Sequence, residues 1–150
     1  MLRDDLQSGL KAAMLAKDSV TTGALRMIIA GMKEKDVDAR SKGKEKASDE
    51  ELMSMMQTMI KQRNDSIKMY VEGNRPELAE KEKAEITIIE KFLPKQMSES
   101  EMENAIKTLI AEVGATSMKD MGKVMGALKS KYAGQMDFGK ANGLIKAILG

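Results

Sequence analysis

SMKDMGKVMGALKSKY, residues 117–132, reads as a helix whose glycines stand on the side away from its apolar stripe. At about 100° of rotation per residue, Met118, Met121, Val124, Met125, Leu128 and Tyr132 gather on one face. Gly122 and Gly126 fall outside that face, beside Lys119, Lys123 and Ser130. A glycine in a helix interior costs roughly 1 kcal/mol relative to alanine, so two of them on a polar face need a reason. Close approach of another backbone, protein or nucleic acid, is a natural one.

The segments on either side are helical too. Ser98 with Glu101 forms a capping box ahead of Met102, Ile106, Leu109, Ile110 and Val113, and Gly114 is placed to end that helix. Ser117 with Asp120 is placed to open the lysine–glycine helix, and Gly134 interrupts it. Asp137 is placed to cap a last helix that buries Phe138, Ala141, Leu144, Ile145, Ile148 and Leu149. Gly139 and Gly143 again lie four apart and away from the apolar face, near Asn142 and Lys146. Residues 98–150 are therefore expected to be a lobe of three short helices.

Upstream, Leu2, Leu6, Leu10, Ala13 and Met14 share one helical face, and Ser19 is a plausible cap for a second helix carrying Leu25, Ile28, Ile29 and Met32. Residues 38–47, DARSKGKEKA, lack a period and read as a loop. Ser48 with Glu51 opens a long helix to Tyr70 or Val71, Gly73-Asn74 ends it, and Pro76 suits the first turn of the next. That helix carries Leu78, Ile86, Ile89, Phe92 and Leu93 and stops at Pro94. Residues 1–94 are expected to form an N-terminal helical bundle, because helices joined by short turns pack as neighbours. The fold class is all-α, in two lobes.

Composition excludes much chemistry. With no cysteine and no histidine among 150 residues, disulfides, thiol nucleophiles, the usual zinc sites and imidazole catalysis are absent. No metal or other cofactor is expected. No apolar run is long enough for a membrane span. Acids at Asp4 and Asp5 stand where a secretory leader needs an apolar core, which points to a cytoplasmic protein. The 15 methionines and scarce aromatics suit an adaptable helical core.

Net charge is only +2, but it is unevenly spread. Residues 115–150 hold six lysines (Lys119, Lys123, Lys129, Lys131, Lys140 and Lys146) against Asp120 and Asp137, leaving the remainder of the chain net negative. Lysines beside off-core glycines suggest a face on which phosphates are neutralised while missing side chains admit a sugar–phosphate ridge. With so few aromatics, shape reading of structured RNA fits better than stacking of single strands. Tight helix–helix contact is the competing explanation for small residues spaced in this way.

A second oddity is Arg63, which projects into the stripe of Leu52, Met56, Met59, Ile60, Ile67 and Tyr70. Glu82 and Glu85 project likewise among Leu78, Ile86 and Ile89. Buried charges need partners, so Arg63 is expected to meet Glu82 or Glu85 as a structural clamp.

The runs Lys61-Gln62-Arg63-Asn64-Asp65-Ser66, Glu80-Lys81-Glu82 through Ile89-Glu90, and Leu93-Pro94-Lys95-Gln96 resemble the YqeY group of small bacterial proteins. Ile110-Ala111-Glu112-Val113-Gly114-Ala115, followed by Met118 through Gly126, is the most specific match, and the resemblance spans residues 2–149. The C-terminal half resembles the tail domain of the GatB component of the glutamine-dependent aspartyl/glutamyl-tRNA amidotransferase. That resemblance implies a tRNA-facing character for Lys119, Gly122, Lys123 and Gly126; charge extends it to Lys129, Lys131, Lys140 and Lys146. It implies as partners tRNA or another structured RNA, and an amidotransferase or aminoacyl-tRNA synthetase assembly. The family label also carries carbon–nitrogen ligase activity with glutamine as amide donor. The sequences that activate the tRNA-linked carboxylate and release ammonia are missing, so no catalytic residue is assigned. The expectation is a non-catalytic RNA-binding accessory protein. Participation in aminoacyl-tRNA amidation and a protein-interaction adaptor are the alternatives.

Overall fold

The computed structural model describes residues 1–150 and is built from helices joined by short connections, with no strand. In chain order the helices are α1 (Leu2–Leu15), α2 (Ser19–Ser41), α3 (Asp49–Glu72), α4 (Pro76–Glu90), α5 (Glu99–Val113), α6 (Met121–Lys131) and α7 (Phe138–Leu149). A single 3-10 turn, Met118–Asp120, precedes α6. The chain divides into two compact units, Met1–Pro94 and Lys95–Gly150.

In the first unit α3 packs along α4, α1 against α2, and α2 against α4, with a slighter contact between α2 and α3. Leu6, Leu25, Ile28, Leu52, Met56 and Ile89 are fully enclosed where these stripes converge. Asp18, not Ser19, caps α2: its carboxylate accepts the Thr21 amide at 3.1 Å and the Thr21 hydroxyl at 2.7 Å. A carboxylate that takes two donors outcompetes a serine hydroxyl one position later.

Helix α2 also runs on to Ser41, through part of the segment expected to be loop. A non-local contact lies just before this extension. Asp36 accepts both guanidinium arms of Arg3 from α1 and the amide of Ala47, while Arg3 also donates to the Ala47 carbonyl. This clasp holds the end of α2 and the approach to α3 together, burying Ala39 and Ala47. Positions in both units differ from the expected stripes: Met14 is 51% exposed, Ile88 is buried on α4 where Ile86 is only half-buried, and Ile148 near the end of α7 is exposed.

The second unit has its own core of Ile106, Val124, Leu128, Met136, Ala141 and Ile145. Ser98 and Glu101 close a complete capping box on α5, and Gly114 ends that helix in the left-handed region at φ 69°, where a side chain would be strained. Ser117 caps the 3-10 turn through the Lys119 amide, and the Asp120 carboxylate accepts the Thr116 amide at 3.0 Å. The α-helical part therefore starts only at Met121, and Met118 is more exposed than a continuous helix would leave it. Gln96 donates to the Gly134 carbonyl and the Met97 amide to that of Gln135, which ties residues 95–97 to this unit.

Candidate nucleic-acid interface

Helix α6 turns Val124 and Leu128 into the core. At about 100° per residue, Gly122, Gly126, Ser130, Lys123 and Lys129 occupy an arc of about 120° on the opposite side. The structure leaves that side open. An added Cβ at Gly122 or Gly126 would meet nothing within 4 Å. Helix α7 does the same with Ala141 and Ile145 inward. Gly143 is equally open, and a Cβ at Gly139 would meet only the Oδ1 of its own cap, Asp137, at 3.2 Å. Tight packing within the unit is thus not what holds these glycines in place.

Lys119, Lys123, Lys129, Lys131, Lys140 and Lys146 are all exposed. None has a carboxylate within ion-pair distance; the one ion pair of this unit joins Lys107 to Glu103 along α5, at 3.0 Å. Lys123 and Lys129 flank the glycine strip of α6, and Lys140 and Lys146 flank that of α7. Two lysines stand apart from this arrangement. Lys119 sits on the 3-10 turn, and Lys131 falls toward the core side of α6, its ammonium 5.8 Å from the ring centre of Tyr132.

Asp120 stands two residues before Gly122 on this face. Its carboxyl is held below the usual range first by the Thr116 amide and also by the charge of Lys123. Asp137 is a second acid at this face, capping α7 through the Gly139 and Lys140 amides, while Glu99, Glu101, Glu103 and Glu112 are exposed on α5. Positive charge is thus concentrated on α6 and α7, where it can attract a polyanion.

The other singled-out constellation lies in the first unit. Arg63 of α3 is only 7% exposed. Its Nε donates to Glu85 Oε2 at 2.9 Å, with Glu82 Oε2 4.0 Å away, and its Nη1 donates to the Met59 carbonyl at 3.2 Å. Nη2 points to the Met27 sulfur at 3.6 Å. Every arm of the guanidinium is engaged, as a cation in an apolar stripe requires. Beside it, Met27, Ala30, Gly31, Met55 and Met59 line an open groove of about 440 Å³ between α2 and α3. Sequence reasoning missed the Arg3–Asp36–Ala47 clasp, for which the pattern of each helix alone holds no signal.

A family model described as Yqey-like protein matches residues 3–149. The chain belongs to the YqeY family. Among its curated relatives are three proteins named altered inheritance of mitochondria protein 41, mitochondrial. That of Lachancea thermotolerans is 34% identical over 73% of this chain and 58% of its own length. That of Candida glabrata is 37% identical over 71% and 57%, and that of Vanderwaltozyma polyspora 32% identical over 77% and 64%. The chain thus spans somewhat under two thirds of the length of these YqeY relatives.

Their names correct one expectation. Cytoplasmic placement was inferred from composition and an acidic start, whereas these relatives are named as mitochondrial proteins. A folded helical protein has the same composition on either side of an organelle membrane, so composition does not fix the compartment. No helix is long and apolar enough to cross a membrane.

Proposed function

We propose that this YqeY protein is a non-catalytic accessory factor that binds structured RNA, tRNA in particular, through the lysine–glycine face of its second unit. The observation that carries this reading is the pairing of open glycines with unpaired lysines. Gly122, Gly126 and Gly143 leave helix backbone exposed where alanine would be more stable, and Lys123, Lys129, Lys140 and Lys146 beside the glycine strips, with Lys119 and Lys131 on the same segments, are exposed and form no ion pair. A phosphate ridge uses both features at once: lysines displace its counterions, and absent side chains let it approach the backbone. Resemblance of the second unit to the amidotransferase tail supports tRNA as the RNA and an amidotransferase or aminoacylation assembly as the setting. Ligase activity is not assigned to the chain, because relatedness of a domain does not transfer chemistry.

The test is a gel-shift series with tRNA. Lys119→Glu with Lys123→Glu is expected to weaken binding at least about tenfold, with little loss of stability, and wild-type affinity is expected to fall steeply with salt. Unchanged affinity in that double variant would remove the face from consideration. RNA-independent capture of a single protein, lost on Gly122→Leu, would favour the adaptor reading instead.

A further inference from the structure

Helix α2 carries two apolar rows. Ala24, Leu25, Ile28, Ile29 and Met32 fill the core of the first unit. On the opposite side Val20, Gly23, Met27, Ala30, Glu34 and Val37 follow one another in steps of three and four residues, and all six are exposed. Val20, Met27 and Val37 leave half or more of their surface in solvent, at 52%, 50% and 60%. Single exposed apolar side chains are ordinary. A row of them at coiled-coil spacing, along about 26 Å of helix, needs a partner. The chain itself supplies none: a Cβ on Gly23 would meet no atom within 4 Å, and Met27, Ala30 and Glu34 border the open groove between α2 and α3.

We propose that a second copy of this chain covers this face, its α2 lying antiparallel to the first across a two-fold axis. In that arrangement the row is its own complement. Turned end for end about a point between Ile28 and Ile29, it sets Val20 against the second copy's Val37, Met27 against its Ala30, and Glu34 against its Gly23. Large side chains meet small ones through the middle, and valine pairs close both ends. Charge agrees with shape. In knobs-into-holes packing Glu34 enters a hole bounded by the second copy's Ser19, Thr22, Gly23 and Arg26. Arg26 and Glu34 are exposed and form no ion pair within their own chain. The two-fold axis pairs them twice, as an isologous interface must. A parallel pair would instead set Glu34 against Glu34 and Gly23 against Gly23. A single helix pair buries less than a standard interface, so the dimer is a weak one.

The experiment uses the whole chain, with sedimentation equilibrium up to about 1 mM protein to read the dimer constant. Glu34→Lys and Arg26→Glu should each weaken association about tenfold, because each change turns two attractions into repulsions. Arg26→Glu combined with Glu34→Lys should restore it, since both pairs are reversed together. The chain has no cysteine, so Val20→Cys and Val37→Cys each place a single thiol on the row. Mixed, these two variants should be joined into a dimer by a short bis-maleimide. Neither should be joined alone, because like positions lie about 26 Å apart along the axis. All four side chains are exposed, so every variant should keep the wild-type circular dichroism. A chain that stays monomeric at the highest concentration, leaving the row to some other helix, overturns the proposal. So do crosslinks within either cysteine variant alone, which would report a parallel pair, and a double charge variant as weak as the singles. The tRNA test above uses none of these residues, so the two readings stand or fall separately.

Discussion

The two units use the same residue for opposite purposes. In the first, a Cβ on Gly9 would come within 2.8 Å of the Phe92 ring, and one on Gly31 within 2.9 Å of the Met55 sulfur. These glycines make room for neighbours inside the unit. In the second, Gly122, Gly126 and Gly143 make room for nothing that the chain itself supplies. Gly23 of α2 is also open, but it stands alone rather than in a spaced pair. For charge the contrast holds only where it is buried. Arg3 and Arg63 of the first unit are spent on Asp36, Glu82 and Glu85, whereas the six lysines of residues 119–146 are exposed and form no ion pair, as is also true of surface lysines such as Lys11, Lys33 and Lys61 in the first unit. A group satisfied within its own unit explains architecture; an unsatisfied one at the surface is available for a partner.

The largest effect expected from breaking this contrast is at Arg63. Arg63→Ala strands Glu85 among apolar side chains and should cost about 3–5 kcal/mol in denaturant unfolding, while tRNA affinity measured well below the melting temperature stays unchanged. Arg63→Met combined with Glu82→Leu and Glu85→Leu should recover most of that loss, since removing all the charges also removes the need for partners. Next comes Gly9→Ala, which drives a methyl group into Phe92 and should lose about 1–3 kcal/mol in the same assay.

The Arg3–Asp36 clasp gives a smaller, pH-dependent effect. Hydrogen bonds from Arg3 hold the Asp36 carboxyl down at about 2 in the folded chain, with help from the Ala47 amide. A folded-state value below the unfolded one means that the stabilisation is complete above about pH 4 and disappears as pH falls through about 2. Asp36→Asn should therefore be less stable than wild type by on the order of 1–2 kcal/mol at neutral pH. Urea midpoints should converge near pH 2; a gap that persists there would show that the clasp acts through shape rather than charge.

Local chemistry was what the sequence made legible. Ser48 and the Ser98–Glu101 box mark helix starts because capping involves residues three apart, and Pro76 marks one because its fixed φ and missing N–H suit a first turn. Arg63 stood out because a cation inside an apolar stripe must be answered somewhere on a neighbouring helix. The lysine–glycine helix could be read because an amphipathic period separates core from surface. What escaped was set by distance along the chain. Arg3 and Asp36 meet from separate helices, and α2 runs past the point where its apolar period ends. Met136 is fully buried on a connection without helical period, so no pattern marked it as core. The 3-10 turn before α6 escaped because Ser117 and Asp120 suit a helix start and a tight turn equally well.

The smallest change in stability probes the central claim most directly. Gly122→Ala, Gly126→Ala and Gly143→Ala each place a methyl group in open space on a helix, and each should raise stability by about 0.5–1 kcal/mol. The measurement is the melting temperature and tRNA affinity of the triple alanine variant beside wild type. A higher melting temperature with affinity reduced at least several-fold is the predicted result, because the added methyl groups hold the phosphate ridge off the backbone. A higher melting temperature with affinity unchanged would contradict the account: the exposed glycines would then serve no ligand.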